Sequence, residues 1–169
     1  MIELVAGGAR SGKSRYALEA AGNASNSPLF IATATAGDGA MANRIQRHKE
    51  ERGPHWRLVE EPLNLSGALQ ALSRTDVAVV DCLTLWISNW LTGESPTGWS
   101  AERDAMLEVL IKSEARLFLV TNEVGMGVVP MGRISREFVD ESGWLQQQIA
   151  SLADRVTLMH FGSPSRLKG

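Results

Sequence analysis

Eight consecutive residues, Gly7-Gly8-Ala9-Arg10-Ser11-Gly12-Lys13-Ser14, have the types and spacing to hold the phosphates of a nucleotide. They fit G-x-x-x-x-G-K-[ST] in full, the pattern of a phosphate-binding P-loop. Gly7 and Gly12 open backbone angles closed to other residues, so consecutive N–H groups can wrap a phosphate. Lys13 supplies a mobile cation for the β- and γ-phosphates, and the Ser14 hydroxyl suits a Mg²⁺ ligand. The helix expected to follow adds the positive end of its dipole.

Two carboxylates suit the same chemistry. Val77-Ala78-Val79-Val80-Asp81 is an apolar run ending in Asp81, the shape of a Walker B strand whose carboxylate holds Mg²⁺. The competing reading is an Asp that caps the next helix. Glu123 follows another apolar run, Leu117–Thr121, and could orient a nucleophile or a metal-bound water, or form an ordinary loop ion pair. A third candidate is His48. It shares a helical face with Met41 and Ile45 at i, i+4 and i+7, beside Arg44, Arg47, Lys49 and Arg52. Crowding cations favour the neutral, nucleophilic imidazole and attract a triphosphate. The alternatives are a packed histidine and a solvated basic face.

These residues need elements to position them. Apolar, unalternating strand candidates are Ile2–Ala6, Leu29–Thr33, Trp56–Val59, Val77–Val80, Leu117–Thr121 and Val156–His160. Helix candidates alternate with them: Lys13–Ala24, Ala40–Arg52, Leu63–Leu72, Leu83–Leu91, Ala101–Lys112 with Ser100 as N-cap, and Arg133–Ala153 with an interruption near Gly143. Thr92–Ser100 reads as a loop, and Gly162–Gly169 as a tail or a short edge. Alternation of this kind predicts an α/β fold with a largely parallel sheet covered on both faces. Sites in such sheets lie beyond the carboxyl ends of the strands, where every residue above falls. Trp86 and Trp90, at i and i+4 on a helix apolar nearly all round, read as core or subunit interface rather than a nucleobase platform.

Composition narrows the classes. A chain of 169 residues with 44% hydrophobic content predicts one nucleotide-binding domain, 1–169, with a sizeable core. A net charge of −2 argues against nucleic acid or an anionic membrane as the main partner. No apolar stretch reaches membrane-spanning length, and the first strand at Ile2 predicts that no signal peptide precedes the fold. Cys82 is the sole cysteine, which excludes an intrachain disulfide and predicts an inert packed thiol. A cytoplasmic protein is expected.

Four blocks together resemble a known family. Gly7–Arg15, Arg44–Lys49, Asp81-Cys82-Leu83-Thr84-Leu85-Trp86 and Thr121-Asn122-Glu123-Val124-Gly125-Met126-Gly127-Val128-Val129-Pro130 are similar to the bifunctional adenosylcobinamide kinase / adenosylcobinamide-phosphate guanylyltransferases. The resemblance runs from the first strand to Ser165-Arg166-Leu167-Lys168, with Gln146-Gln147 where the family often has Asn-Gln. It implies phosphorylation of adenosylcobinamide by ATP or GTP, then transfer of GMP from GTP through a guanylylated His48. It implies nucleotide contacts at Thr33, Ala34 and Thr35, at Lys49, Glu50, Glu51 and Arg52, and at Glu60 and Asp81. It further implies Mg²⁺ at Ser14 and Asp81, a corrinoid substrate, a RecA-like P-loop fold with an antiparallel edge, and a homotrimer that buries the Trp86/Trp90 surface. Two other readings compete: a P-loop kinase for another small metabolite, and a nucleotide-dependent switch module.

Overall fold

The structure is a computed structural model, and it describes residues 1–34, 55–93 and 96–169. Its strands are β1 (Ile2–Gly7), β2 (Leu29–Ala32), β3 (Arg57–Glu60), β4 (Val77–Asp81), β5 (Arg116–Asn122), β6 (Arg155–His160) and β7 (Ser163–Lys168). The helices are α1 (Lys13–Ala24), α2 (Leu65–Gln70), α3 (Leu83–Thr92), α4 (Trp99–Lys112) and α5 (Arg133–Leu152), with a 3-10 turn at Pro96–Gly98. The sheet order is β3-β2-β4-β5-β1-β6-β7. All pairs are parallel except β6 with β7.

The apolar runs of β1, β2, β4 and β5 form strands because both faces of the sheet are covered there, whereas the edge strand β3 is exposed throughout. Alternate residues point to opposite faces. Phe30, Val77, Val79, Phe118 and Val120 pack with Ala17, Leu18 and Ala21 of α1 on one face. Leu29, Ile31, Ala78, Val80, Leu117 and Leu119 pack on the other, against Leu65, Leu69, Leu83, Trp86, Met106, Leu110, Leu145 and Ile149. Each such fully buried aliphatic side chain contributes about 1.5–3 kcal/mol over its exposed state.

Several local expectations give way to packing. Helix α4 starts at Trp99 with Gly98 as N-cap and no side-chain cap, so Ser100 is not the cap. Trp99 is drawn into the helix by its edge contact with Trp86, ring centroids 4.9 Å apart, and by its indole N–H donating to Glu141 Oε2 at 2.6 Å. Helix α5 runs unbroken through Gly143. A mid-helix glycine costs about 1 kcal/mol, less than the flanking Leu145 and Ile149 gain by full burial. The segment after Gly162, expected as a tail or a short edge, is the antiparallel edge strand β7 that the resemblance implies, and Pro164 is tolerated on that edge. The predicted helix Ala40–Arg52 lies outside the described residues.

Trp86 is 0% exposed within one chain, so no subunit contact is needed to bury it, contrary to the expectation for the trimer. Its indole N–H donates to Leu63 O at 2.8 Å, as that of the half-buried Trp90 does at 3.1 Å. Asn89 Nδ2 donates to Thr33 O at 2.8 Å and Pro62 O at 3.0 Å. One side of α3 thereby ties down the segments that leave β2 and β3.

Candidate active site

The P-loop leaves β1 at Gly7, whose φ is 153°, and enters α1 after Gly12, whose φ is 97°. A Cβ on Gly7 would stand 2.5 Å from Met159 O, which shows how closely the neighbouring β6 approaches. Gly8, Ala9 and Arg10 form the exposed crest, and Ser11 N–H closes a turn onto Gly8 O at 3.3 Å. The buried Lys13 ammonium donates to Gly8 O at 2.5 Å and to Ser11 Oγ at 3.5 Å. Ser14 lies in the first turn of α1, a helix with no acidic residue in that turn to compete with an anion.

Asp81 ends β4 in register with Ala32, which is also in register with Glu60 at the end of β3. The three share a sheet face, the one that Val79 and α1 occupy. The segment after β2 is held by its neighbours. Thr33 is fully buried, and its hydroxyl accepts from Cys82 N–H and donates to Cys82 O, both at 2.8 Å. Its N–H reaches Asp81 O at 3.3 Å. Ala34 follows, half-buried. Cys82 is buried, as expected of a packed thiol, and its sulfur accepts from Thr84 Oγ1 at 3.4 Å. Thr35, His48, Lys49, Glu50, Glu51 and Arg52 lie outside the described residues.

The rim continues on β5. Glu123 N–H donates to Gly7 O at 3.0 Å, which locks the end of β5 to the start of the P-loop. Its carboxylate accepts from Gly125 N–H at 2.6 Å and Met126 N–H at 3.3 Å, so it shapes its own loop, and it forms no ion pair among the described residues. Sequence reasoning missed the polar clamp behind it. Thr84 Oγ1 accepts from the Asn122 backbone at 3.0 Å and side chain at 3.2 Å. Gln146 Nε2 donates to Thr121 Oγ1 at 3.1 Å and Asn122 O at 2.9 Å. The available signal was a polar Gln146 beside the core position Leu145.

The donor set fits Mg²⁺. Ser14, in the first turn of α1, and Asp81, at the end of β4, offer hard oxygen ligands. No group of three or more His, Cys, Asp or Glu among the described residues could cage a metal alone. A Mg²⁺ that keeps waters and takes one carboxylate plus substrate phosphates matches this sparse set.

Sheet, P-loop and strand-end carboxylate define a nucleotide-binding α/β protein of the P-loop class with a RecA-like fold. The RadB recombinase shares that fold with a TM-score of 0.52 at 15% identity, over 93% of this chain and 73% of that one. The chain belongs to the cobinamide kinase / cobinamide phosphate guanyltransferase family, whose model matches residues 3–167. It is 48% identical to the bifunctional adenosylcobalamin biosynthesis protein CobP of Pseudomonas aeruginosa, covering 100% of this chain and 98% of that one. It is 41% identical to the CobU protein of Salmonella typhimurium, covering 99% and 100%. The chain is thus a homologue of kinase and nucleotidyltransferase enzymes of cobalamin biosynthesis, and no described helix is long and apolar enough to cross a membrane.

Proposed function

We propose that this chain phosphorylates adenosylcobinamide with ATP or GTP and then converts the product to adenosylcobinamide-GDP with GTP. The observation that carries the reading is the family match over residues 3–167, on a chain whose P-loop and Asp81 follow the carboxyl ends of strands in one sheet. In the first half-reaction the substrate hydroxyl attacks the γ-phosphorus, the bond to the β-phosphate oxygen breaks, and the hydroxyl proton is released to water. The loop amides and Lys13 hold the phosphates and neutralise the leaving charge. Ser14 and Asp81 would hold Mg²⁺, which would supply further charge neutralisation when bound.

In the second half-reaction a His48 ring nitrogen attacks the α-phosphorus of GTP and pyrophosphate leaves. An oxygen of adenosylcobinamide phosphate then attacks the same phosphorus, and the P–N bond breaks to free His48. Thr35, Lys49, Glu50, Glu51, Arg52 and Glu60 contact the guanosine side, with Ala34 beside them. Thr33 acts by holding the Asp81–Cys82 strand end. The chain acts in the cytoplasm as a single nucleotide-binding domain and assembles as a homotrimer, which sedimentation checks.

The test is incubation with Mg²⁺ and GTP labelled at the α-phosphate, followed by denaturation and a count of protein-bound label. Acid-labile, alkali-stable label that disappears in His48→Ala supports the reading. Absence of label while GTP demonstrably binds would leave a kinase alone, or direct transfer without a covalent step.

A further inference from the structure

One aromatic ring at the sheet's carboxyl edge has no place in the core. Phe161 lies in the turn between β6 and β7 with its side chain fully exposed, at 101%. Its backbone is left-handed, φ 51°, and Gly162 follows at φ 81°. His160 pairs with Ser163, so these are the two central residues of a tight hairpin. Two positive φ values in succession match the strand twist, and Asn-Gly is the sequence that adopts them most readily. A phenylalanine at the first position carries strain and gains no burial, so packing does not explain it.

The turn is fixed against the P-loop. Gly162 N–H donates to Ser11 O at 3.0 Å. A Cβ on Gly12 would meet Gly162 Cα at 3.2 Å, and Arg15 Nη2 lies 3.2 Å from where a Gly162 Cβ would stand. Arg15 follows Ser14, at the end of the loop that faces the α-phosphate. The Phe161 turn therefore stands beside that end of the loop.

The sheet order decides which way the nucleoside points. In γ-phosphoryl transfer, acceptor and metal carboxylate stand at one end of the triphosphate and the base at the other. Asp81 is on β4, on one side of β1, whereas the β6–β7 turn is on the other side. We propose that Phe161 is a stacking platform for the nucleobase of the phosphoryl donor, on the β6–β7 side of the P-loop. This rests on reading the P-loop as the donor site of the kinase half-reaction. Every base has a π-face, so stacking accepts adenine and guanine alike, as a donor that is either ATP or GTP requires. Glu60, assigned to the guanosine in GMP transfer, lies on the opposite side, at the end of β3. One phosphate cradle then serves two nucleoside positions.

The test uses Phe161→Asn, which suits the turn and removes the ring, and Phe161→Tyr, which keeps it. Calorimetry on the full chain measures Mg·ATP and inorganic tripolyphosphate. The expected result is ATP affinity reduced about tenfold or more in Phe161→Asn, restored in Phe161→Tyr, with tripolyphosphate unchanged throughout. Equal ATP affinity in wild type and Phe161→Asn overturns the platform. So does a parallel loss of tripolyphosphate, which would make the turn only a brace for the loop. Adenosylcobinamide phosphorylation by the wild type is assayed alongside. A working kinase without Phe161 dependence sinks the platform alone. Phe161-dependent ATP binding without that kinase activity sinks the functional reading and leaves the platform standing.

Discussion

The Thr33 hydroxyl closes two 2.8 Å hydrogen bonds with the backbone of Cys82, accepting from its N–H and donating to its carbonyl. Because Cys82 follows Asp81, this contact across 49 residues sets where the β4 carboxylate emerges. Thr33→Val keeps the shape and removes both of these hydrogen bonds, while Cys82 O still accepts from Trp86 N–H at 3.2 Å. It should cost about 1–3 kcal/mol in denaturant unfolding and raise the Mg²⁺ concentration needed for activity, while Thr33→Ser retains both. Unaltered stability in Thr33→Val would show that the clamp is not what orders this edge.

Lys13→Ala should impair both half-reactions by more than about tenfold, because each requires the phosphates to be held in the loop. His48→Ala should abolish guanylyl transfer yet leave measurable phosphorylation. Separate assays of phosphorylated corrinoid and of protein-bound GMP read the two. Equal loss of both in a folded His48→Ala would remove its distinct role.

Gly7→Ala should destabilise the chain by about 2 kcal/mol or more, since a backbone at positive φ must take a side chain and overpack. The new methyl would stand 2.5 Å from Met159 O and 2.8 Å from Ser11 Oγ. Gly8→Ala is the control. Its Cβ meets nothing within 4 Å, so the change in melting temperature should be small.

Asp76 gives a pH signature away from the site. Hydrogen bonds from the Ser73 hydroxyl at 2.7 Å and Ser73 N–H at 2.8 Å, then from Arg57, lower its pKa from 3.8 to about 2. A depressed folded pKa means that the stabilisation is complete above the unfolded value and is lost as pH falls through the folded one. The melting-temperature gap between wild type and Asp76→Asn should therefore persist above pH 4 and close as pH falls from about 4 to about 2. A gap that stays constant down to pH 2 would contradict the role given to the carboxylate.

Contiguous features were legible in the sequence. The P-loop with its flanking strand and helix, the apolar run into Asp81 and the alternation of elements each occupy one stretch of chain. Where the reading erred, packing outweighed a local preference. Ser100 loses the cap because Trp99 finds Trp86 and Glu141, and Gly143 does not break α5 because the sheet face beneath it holds Leu145 and Ile149.

The sequence by itself determined the phosphate cradle, because glycine placement and a lysine-serine pair act within a single turn. It also determined a two-sided sheet, because buried parallel strands must be apolar throughout. Only the tertiary structure decided which distant residues meet at that cradle. Thr33 reaches Cys82, Gln146 reaches Thr121, and Gly162 reaches Ser11 because the order β3-β2-β4-β5-β1-β6-β7 aligns their strand ends on one edge. That order follows from burying two apolar faces at once, a property of the whole chain that no local spacing encodes.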